Sequence, residues 1–221
     1  MDLFPVTRWS LIARLPDQPQ QVATLIALYA DAVGAYVARR LAGERPERVA
    51  DIVQEVLLDL LTRPEVLARA APGEGSRFRY YLMDLAWSSA RNALRRARTH
   101  DRGGAAMTTD LPAPEHALMD RVWATSVIQA AFDTVRAQAA AGALDPEALA
   151  IMTENLVEGR GLRDIASERG WSLATCQRRC ATARCALQEA MCERLRLAGE
   201  LGTDEDPAAA CALLLRAAAQ G

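Results

Sequence analysis

The sequence contains no lysine, so every basic side chain in it is an arginine. The chain has 221 residues, 26 of them basic and 28 acidic, which gives a formal net charge of -2. Arginine carries a planar guanidinium that suits phosphates and the edges of bases. A GC-rich genome produces the same bias toward arginine. Any cationic contact that this protein makes with nucleic acid therefore depends on guanidinium groups.

Export signals, membrane-length apolar runs and enzyme motifs are also missing. No stretch reaches the roughly 18 apolar residues of a membrane span, and the segment Met1 to Leu15 carries early charges and Pro5, unlike a signal peptide. The five cysteines are an odd number, which favours reduced thiols in a chain without an export signal. We find no Gly-rich phosphate loop, no Gly-x-Ser-x-Gly elbow and no metal-ligand spacing. We therefore expect a cytoplasmic protein that is not an enzyme, uses no cofactor or metal, and does not bind a membrane.

The remaining composition and periodicity predict an all-α protein. Hydrophobic residues make up 51% of the chain, which excludes a disordered polymer. Prolines and glycines separate long runs of helix formers, and no segment alternates with a period of two. The periodicity disappears near Gly103, Gly104 and Pro112. We predict two small helical domains, residues 1–98 and 118–197, joined by a flexible linker over residues 99–117 and followed by a tail, residues 198–221.

Within this division the predicted helices are Arg8–Leu15, Gln20–Leu41, one starting near Pro46, a short piece from Pro64, Arg77–Arg98, Leu118–Ala141, one starting at Asp145-Pro146-Glu147, Leu162–Arg169 and Leu173–Leu195. A loop separates the fourth from the fifth at residues 71–76. In the tail, Asp206-Pro207 is a good helix start. A helix of about 12 residues is marginal alone, so this one either docks and regulates the protein or frays.

The helix Arg77–Arg98 carries the first functional pattern. Its predicted core stripe is Phe78, Tyr81, Leu82, Leu85 and Ser89. The opposite face combines large side chains with guanidinium groups, namely Tyr80, Met83, Trp87, Arg91 and Arg98, with Arg95 nearby. Aromatic rings flanked by cations are typical of surfaces that stack on unpaired bases. The alternative is a solvated face on which Tyr80 and Trp87 pack against another domain.

A second pattern lies at residues 161–191. A short helix ends at Gly170, and Ser172 caps the next one, which is the sequence shape of a helix-turn-helix. The start of the second helix of such a motif enters the major groove. The candidate contacts there are Ser172, Thr175, Gln177, Arg178 and Arg179. Gln177 can pair with adenine and the arginines with guanine, while the two hydroxyls suit phosphates. Two helices of a plain bundle remain the alternative.

The cysteines of this second helix do not predict a zinc site. On the helical wheel Cys176 and Cys180 fall on the core stripe, whereas Cys185 and Cys192 project from nearly the opposite side. Thiolates on opposite faces of one helix cannot converge on a metal. Redox sensing by the outward Cys185 or Cys192 stays open. The two histidines, His100 and His116, lie in the predicted linker and need no role.

Together these parts resemble bacterial sigma factors of the extracytoplasmic-function group, within the sigma-seventy family. The run Asp51–Leu61 (DIVQEVLLDLL) is similar to the family's polymerase-docking helix. The next helix resembles the one that melts and holds the minus-ten element, through Phe78 to Leu82, Ala86, Asn92 and Leu94 to Arg96. The segment that reads the minus-thirty-five element is matched by Glu158-Gly159, Ile165-Ala166, Gly170, Ser172, Thr175, Arg179, Ala183-Arg184 and Leu187. Thr7 to Leu11 resembles the start of some members. The likeness covers roughly residues 7–196, with departures at Asp84, Trp87-Ser88, Cys176 and Cys180.

This resemblance implies a transcription initiation factor that binds core RNA polymerase and promoter DNA, and it allows an anti-sigma factor as a further partner. The implied polymerase contacts are Asp51, Gln54, Glu55 and Asp59. The two helix patterns and the resemblance together give the candidate DNA contacts, which are Arg79, Tyr80, Trp87, Arg91, Asn92, Arg95, Arg96, Arg98, Ser172, Thr175, Gln177, Arg178, Arg179 and Arg184. Two alternatives stay open: a stand-alone helix-turn-helix regulator, and a sigma-like adaptor that does not contact DNA.

Overall fold

The computed structural model of the chain describes residues 19–70, 77–101, 116–201 and 206–219, and all regular structure in these ranges is α-helical. The all-α prediction is therefore confirmed. The helices are α1 (Pro19–Arg40), α2 (Pro46–Thr62), α3 (Pro64–Leu67), α4 (Phe78–Asp101), α5 (His116–Ala140), α6 (Pro146–Leu156), α7 (Leu162–Glu168), α8 (Leu173–Leu197) and α9 (Pro207–Ala219). The predicted helix Arg8–Leu15, the motif Thr7–Leu11 and the loop at residues 71–76 lie outside the described residues.

Several helix starts follow directly from local sequence. A proline occupies the first turn of α2, where its missing N–H removes no intrahelical hydrogen bond. At α6 the Asp145 side chain accepts a hydrogen bond from the Glu147 N–H at 3.0 Å, ahead of Pro146. Ser172 caps α8 in the same way. These signals are local, which is why the sequence predicts these starts to within a residue.

The buried face of α4 differs from the predicted stripe. Phe78 and Leu82 are buried as expected, but Tyr81, Leu85 and Ser89 are only half-buried. The other side chains buried on this helix are Arg79, Met83, Ala86, Trp87, Ala90, Ala93 and Leu94. The physical reason is that α4 packs against α1 and α2 on one side and α5 on another, so a wider arc of the helix is covered than one amphipathic stripe.

Helices from the two predicted domains pack against each other in this structure. The Tyr29 ring of α1 stacks on the Trp123 ring of α5, with centroids 4.2 Å apart and planes 15° apart. The division into separate domains stays a prediction. Helical structure extends into both ends of the predicted linker, residues 99–117, because α4 continues to Asp101 and α5 begins at His116. Residues 102–115 lie outside the described part of the chain.

A buried ionic cluster joins the same two halves. Arg79 of α4 is fully buried and donates to Asp120 Oδ1 of α5 at 2.7 Å and to Glu200 Oε2, just after α8, at 2.5 Å. The Tyr29 hydroxyl lies 3.2 Å from Glu200 Oε1. Burial raises the pKa of Tyr29 well above its usual value, so this hydroxyl stays protonated and donates to the carboxylate. Burial also raises the pKa of Glu200, and the Arg79 guanidinium opposes that shift.

The C-terminal helix α9 docks rather than frays. It packs against α5 and α8 and buries Ala210, Cys211, Leu214 and Ala217. The Asp206 side chain accepts a hydrogen bond from the Ala208 N–H at 2.9 Å, as the predicted helix start requires. Of the two alternatives for the tail, docking is the one the structure contains; a regulatory role stays a prediction.

One helix is long and apolar enough to cross a membrane, although the sequence predicts no membrane span. The segment Gln20–Arg40 of α1 is long and apolar enough by length and composition alone. Core helices also pass this test, and α1 places Tyr29, Val33, Tyr36 and Val37 in the core. The criterion is therefore weak evidence for a membrane span here.

We predict that Glu200→Ala lowers the free energy of unfolding by about 3–5 kcal/mol, because it removes one partner from a buried guanidinium. Glu200→Gln should cost less, since its one amide oxygen can still accept from Arg79 while its NH2 group donates to the Tyr29 hydroxyl. Urea unfolding checks both variants against Glu193→Ala, which removes an exposed carboxylate from α8. If Glu200→Ala and Glu193→Ala lowered the free energy of unfolding equally, the pairing of Glu200 with Arg79 would not contribute to stability.

Candidate nucleic-acid interface

The turn between α7 and α8 presents the start of α8 to solvent. Gly170 adopts a φ of 67°, a left-handed conformation that glycine takes without a Cβ penalty. The Trp171 N–H then donates to Ala166 O at 2.9 Å, which closes the end of α7. Ser172 Oγ accepts from the Thr175 N–H at 3.1 Å and lies 2.9 Å from Thr175 Oγ1. The two hydroxyls predicted to contact phosphates are thus hydrogen-bonded to each other, with Ser172 exposed and Thr175 half-buried.

Gln177 and Arg178 are the exposed polar side chains on the first turns of α8. Within the described residues Arg178 forms no salt bridge, so its guanidinium is available to a ligand. Buried Cys176 and Cys180 anchor the opposite face of the same turns. A helix held by its apolar face and presenting an amide and a guanidinium can make bidentate contacts with base edges.

Arg179 and Arg184 are held by neighbouring residues instead. Arg179 donates to Asp145 Oδ2 at 2.8 Å, and its guanidinium carbon lies 4.4 Å from the centre of the Trp171 ring. Arg184 donates to Asn155 Oδ1 at 2.5 Å. These contacts fix α8 against α6 and the turn. Both arginines therefore hold α8 in position and also add positive charge to it.

Sequence reasoning missed the ionic network behind this turn. Glu154 of α6 accepts hydrogen bonds from Arg160 Nη1 at 2.5 Å and from Arg169 at the end of α7. Arg160 also pairs with Glu168, and the hydrogen bond from Arg160 lowers the pKa of that carboxyl. The signal available in the sequence was the alternation of acids and arginines across residues 154–169. The network orients α7 relative to α6, and so sets the angle at which α8 leaves the turn.

On α4 the structure changes the set of candidate DNA contacts. Trp87 is 1% exposed, with its ring edge-on to Tyr36 and the Arg40 guanidinium 4.6 Å from its centre. Arg79 is fully buried in the cluster with Glu200. Neither side chain reaches solvent in this arrangement, so neither can contact DNA unless the packing changes, and their role in DNA contact stays a prediction. The reason is the wide buried arc of α4, which a single helical wheel does not reveal.

Tyr80 matches the alternative interpretation, in which its ring packs against the other domain and does not stack on bases. It is half-buried, its hydroxyl donates to Asp120 Oδ2 at 2.8 Å, and its ring stacks on His116 with centroids 4.3 Å apart. Tyr80 therefore packs on the other half of the chain. His116, which needed no role in the sequence, lies at the start of α5 and contributes to this contact.

The second half of α4 remains a cationic surface. Arg91, Asn92, Arg95 and Arg96 are exposed, and Arg98 is half-buried. Arg96 pairs with Glu55 of α2, and Arg98 pairs with Glu44. Arg91 and Arg95 form no salt bridge among the described residues. Within this surface these two guanidinium groups are the ones available to a phosphate.

The predicted polymerase contacts lie on one side of α2. Asp51, Gln54 and Glu55 are exposed, and Asp59 is partly exposed and pairs with Arg63 at 3.2 Å. Two leucines that sequence reasoning did not single out, Leu58 and Leu61, are 60% and 41% exposed beside them. They fall outside the helical stripe of Ile52, Val56 and Leu60, which is the signal that could have identified them.

A groove of about 520 Å³ adjoins this surface and is lined by α2, α3 and α4 residues that include Glu55, Asp59, Ser88, Ser89, Asn92 and Arg96. The groove thus joins the acidic side of α2 to the cationic end of α4. A partner protein on α2 and a nucleic acid on α4 would meet at the pair Glu55–Arg96.

The described residues contain no cluster of three or more histidine, cysteine or acidic side chains that could hold a metal. Cys176 and Cys180 are buried and Cys185 is exposed, as the wheel predicts. Cys192 is buried rather than outward, because α9 covers it. Cys192 is therefore a contact between helices.

Comparison of the chain with protein-family models, curated proteins and solved structures finds no match.

We predict that Trp87→Ala lowers the free energy of unfolding by about 3–5 kcal/mol, the usual cost of truncating a large buried aromatic side chain. Arg91→Ala, at an exposed position of the same helix, should leave stability unchanged. Thermal and urea unfolding of both variants measure this. Wild-type stability of Trp87→Ala, combined with weaker binding to single-stranded DNA, would restore the base-stacking interpretation.

Proposed function

We propose that this chain is a transcription initiation factor of the kind it resembles, a sigma factor of the extracytoplasmic-function group that binds core RNA polymerase and promoter DNA. The observation that carries the proposal is the capped start of α8, which leaves Gln177 and Arg178 exposed after the turn at Gly170. In this proposal α7 and α8 form a helix-turn-helix, and α8 is the helix that enters the major groove.

The second DNA surface is the cationic end of α4. Arg91 and Arg95 contact the phosphates of the opened strand, with Asn92 beside them and Arg96 at the groove. Trp87 acts through packing, since its contacts with Tyr36 and Arg40 of α1 hold α4 in place and keep its ring away from the bases. Phosphate contacts of this kind position a protein without reading sequence, so base discrimination rests mainly on α8.

The polymerase surface is the side of α2 that carries Asp51, Gln54 and Glu55 together with the exposed Leu58 and Leu61. Acidic groups around exposed leucines are suited to a basic, amphipathic helix of a partner protein. This division also accounts for the net charge of -2. A stand-alone DNA-binding protein draws much of its affinity from neutralising phosphates, whereas an initiation factor receives much of it from the polymerase.

The packed arrangement of the two halves must open for both surfaces to act on one promoter. Two elements about 25 base pairs apart are separated by about 85 Å along B-form DNA, at 3.4 Å per base pair. A compact chain of 221 residues has a radius of gyration of about 17 Å and a diameter of about 45 Å. The contacts of Tyr29 with Trp123 and of Arg79 with Glu200 therefore belong to the free chain in this proposal.

A second candidate function is a stand-alone helix-turn-helix regulator. It is favoured by one observation, the exposure of the start of α8 while α1 and α4 are packed against the C-terminal half. Such a protein would bind duplex DNA without polymerase. An adaptor, the third alternative, would bind polymerase and show no salt-dependent DNA binding. Co-purification with core polymerase and DNA binding at several salt concentrations distinguish the three.

For the polymerase surface we expect the double variant Gln54→Ala, Glu55→Arg to lose affinity for core polymerase by about 10²-fold or more, because charge reversal places like charges across the interface. Glu55 also pairs with Arg96, so Arg96→Ala is the matched control that breaks this pair and leaves α2 unchanged. Co-purification and titration with core enzyme provide the measurement. Wild-type affinity of a folded double variant would exclude this surface.

For the reading helix we expect Arg178→Ala to weaken binding to its duplex element by about 1–3 kcal/mol and to relax the base preference at one position. Arg136→Ala, an exposed arginine on α5, is the control. Fluorescence anisotropy with a selected duplex and its single-base variants measures both effects. A uniform loss across all sequences would make Arg178 a phosphate contact.

A further inference from the structure

Two cysteine thiols from different helices meet beneath the C-terminal helix. Cys192 Sγ of α8 and Cys211 Sγ of α9 are 3.4 Å apart, and both side chains are buried. Each thiol also lies close to a backbone carbonyl oxygen of the other helix. Cys192 Sγ is 3.7 Å from Pro207 O at the start of α9, and Cys211 Sγ is 3.8 Å from Gln188 O of α8. The contact is therefore fixed by the packing of both backbones.

The separation is short enough for a covalent bond to form with only a small movement of α9. The sulfur atoms of a disulfide are about 2.05 Å apart, so an approach of about 1.4 Å would close the bond. Rotation of the two side chains and a small adjustment of α9 supply this distance. The other three cysteines differ, because Cys176 and Cys180 are buried in the core of α8 and Cys185 is exposed.

The docking of α9 is weak enough for such a bond to matter. Of its four fully buried side chains, two are alanines, one is Cys211 and only Leu214 is large. A helix of 13 residues with this composition is marginal by itself. The segment between the two cysteines includes Glu200, whose carboxylate pairs with Arg79 across the two halves. A bridge from residue 192 to residue 211 would therefore enclose the residue that holds the halves together.

We propose that Cys192 and Cys211 form a reversible disulfide that clamps α9 to α8 and restrains the segment that carries Glu200. The bond itself is independent of the proposed function. Its consequence, that oxidation retains the packed arrangement and suppresses initiation, rests on that function.

The oxidant is a small peroxide, and the chemistry balances with hydrogen peroxide. One thiolate attacks a peroxide oxygen, which breaks the O–O bond and gives a sulfenic acid and hydroxide. The second sulfur then displaces the sulfenic oxygen, the S–S bond forms, and the oxygen leaves as water with the remaining proton. Two thiols and one peroxide thus yield one disulfide and two waters, with two electrons passing from sulfur to oxygen.

Burial limits the rate of this reaction. It raises the pKa of Cys211 to about 12, so a docked α9 holds almost no thiolate at neutral pH. Thiolate forms when α9 moves away from α8, and the disulfide closes when it returns. The clamp therefore responds to sustained peroxide and to any event that lifts α9.

The test uses the full chain in a Cys185→Ser background. This substitution is needed because Cys185 and Cys192 share one tryptic peptide, residues 185–194, whereas Cys211 lies in residues 197–216. The reduced protein is treated with hydrogen peroxide, its free thiols are alkylated in denaturant, and the unreduced digest is analysed by mass spectrometry. With Cys185 replaced, four of the five cysteines of the chain remain. We expect a cross-link between these two peptides and a fall in free thiols from four to two. Dithiothreitol should reverse both changes.

The consequence is measured by amide hydrogen exchange in α9, without DNA or polymerase, so it can fail separately from the proposed function. Oxidation should slow exchange in α9 by about 100-fold, as expected for a bridge that closes a loop of this length. The variant Cys185→Ser, Cys211→Ser should show neither cross-link nor slowing. Recovery of Cys192 and Cys211 as thiols or sulfinic acids would overturn the pairing. A cross-link with unchanged exchange would overturn the clamp.

Discussion

The guanidinium of Arg79 is the group on which the arrangement of the molecule depends. It is fully buried, and its two carboxylate partners come from different parts of the chain, Asp120 in α5 and Glu200 after α8. A buried charge is costly unless it is paired, so α4, α5 and the end of α8 must come together for Arg79 to stay inside. When an ionic contact separates, water hydrates both charged groups and replaces the hydrogen bonds between them. The same cluster that orients the halves therefore makes their contact reversible.

This constraint also explains which surfaces remain for partners. With α4 turned toward α1, α2 and α5, Phe78 and Trp87 lie in the core and Tyr80 lies at the contact with α5. The exposed end of α4 carries Arg91 and Arg95. The start of α8 is exposed and anchored from behind by Cys176 and Cys180. The acidic side of α2 lies next to α4 and shares the pair Glu55–Arg96 with it. We propose that these three surfaces bind phosphates, base edges and a protein partner respectively.

Much of the fold could be predicted from sequence because its signals are local. Pro46, Asp145-Pro146 and the Gly170–Ser172 turn each act within a few residues, so the helices they begin or end were predicted closely. Burial of Arg79 and Trp87 could not be predicted in the same way, because it depends on helices packed on two sides of α4. The helical wheel predicts an outward Cys192, which is wrong for a similar reason: the burial of Cys192 requires α9, and local sequence does not decide whether α9 docks. For the candidate site, the exposed Gln177 and Arg178 were predicted, whereas the network of Glu154, Arg160 and Arg169 depends on tertiary packing.

Run-off transcription from a pool of promoter sequences tests most directly whether the chain directs RNA polymerase to particular promoters, as we propose. Core polymerase is assayed alone, with this chain, and with a known initiation factor as a control for polymerase activity. We expect the chain to add a discrete set of start sites that share one upstream and one downstream element. Active polymerase that gains no start site from the folded chain would contradict the claim.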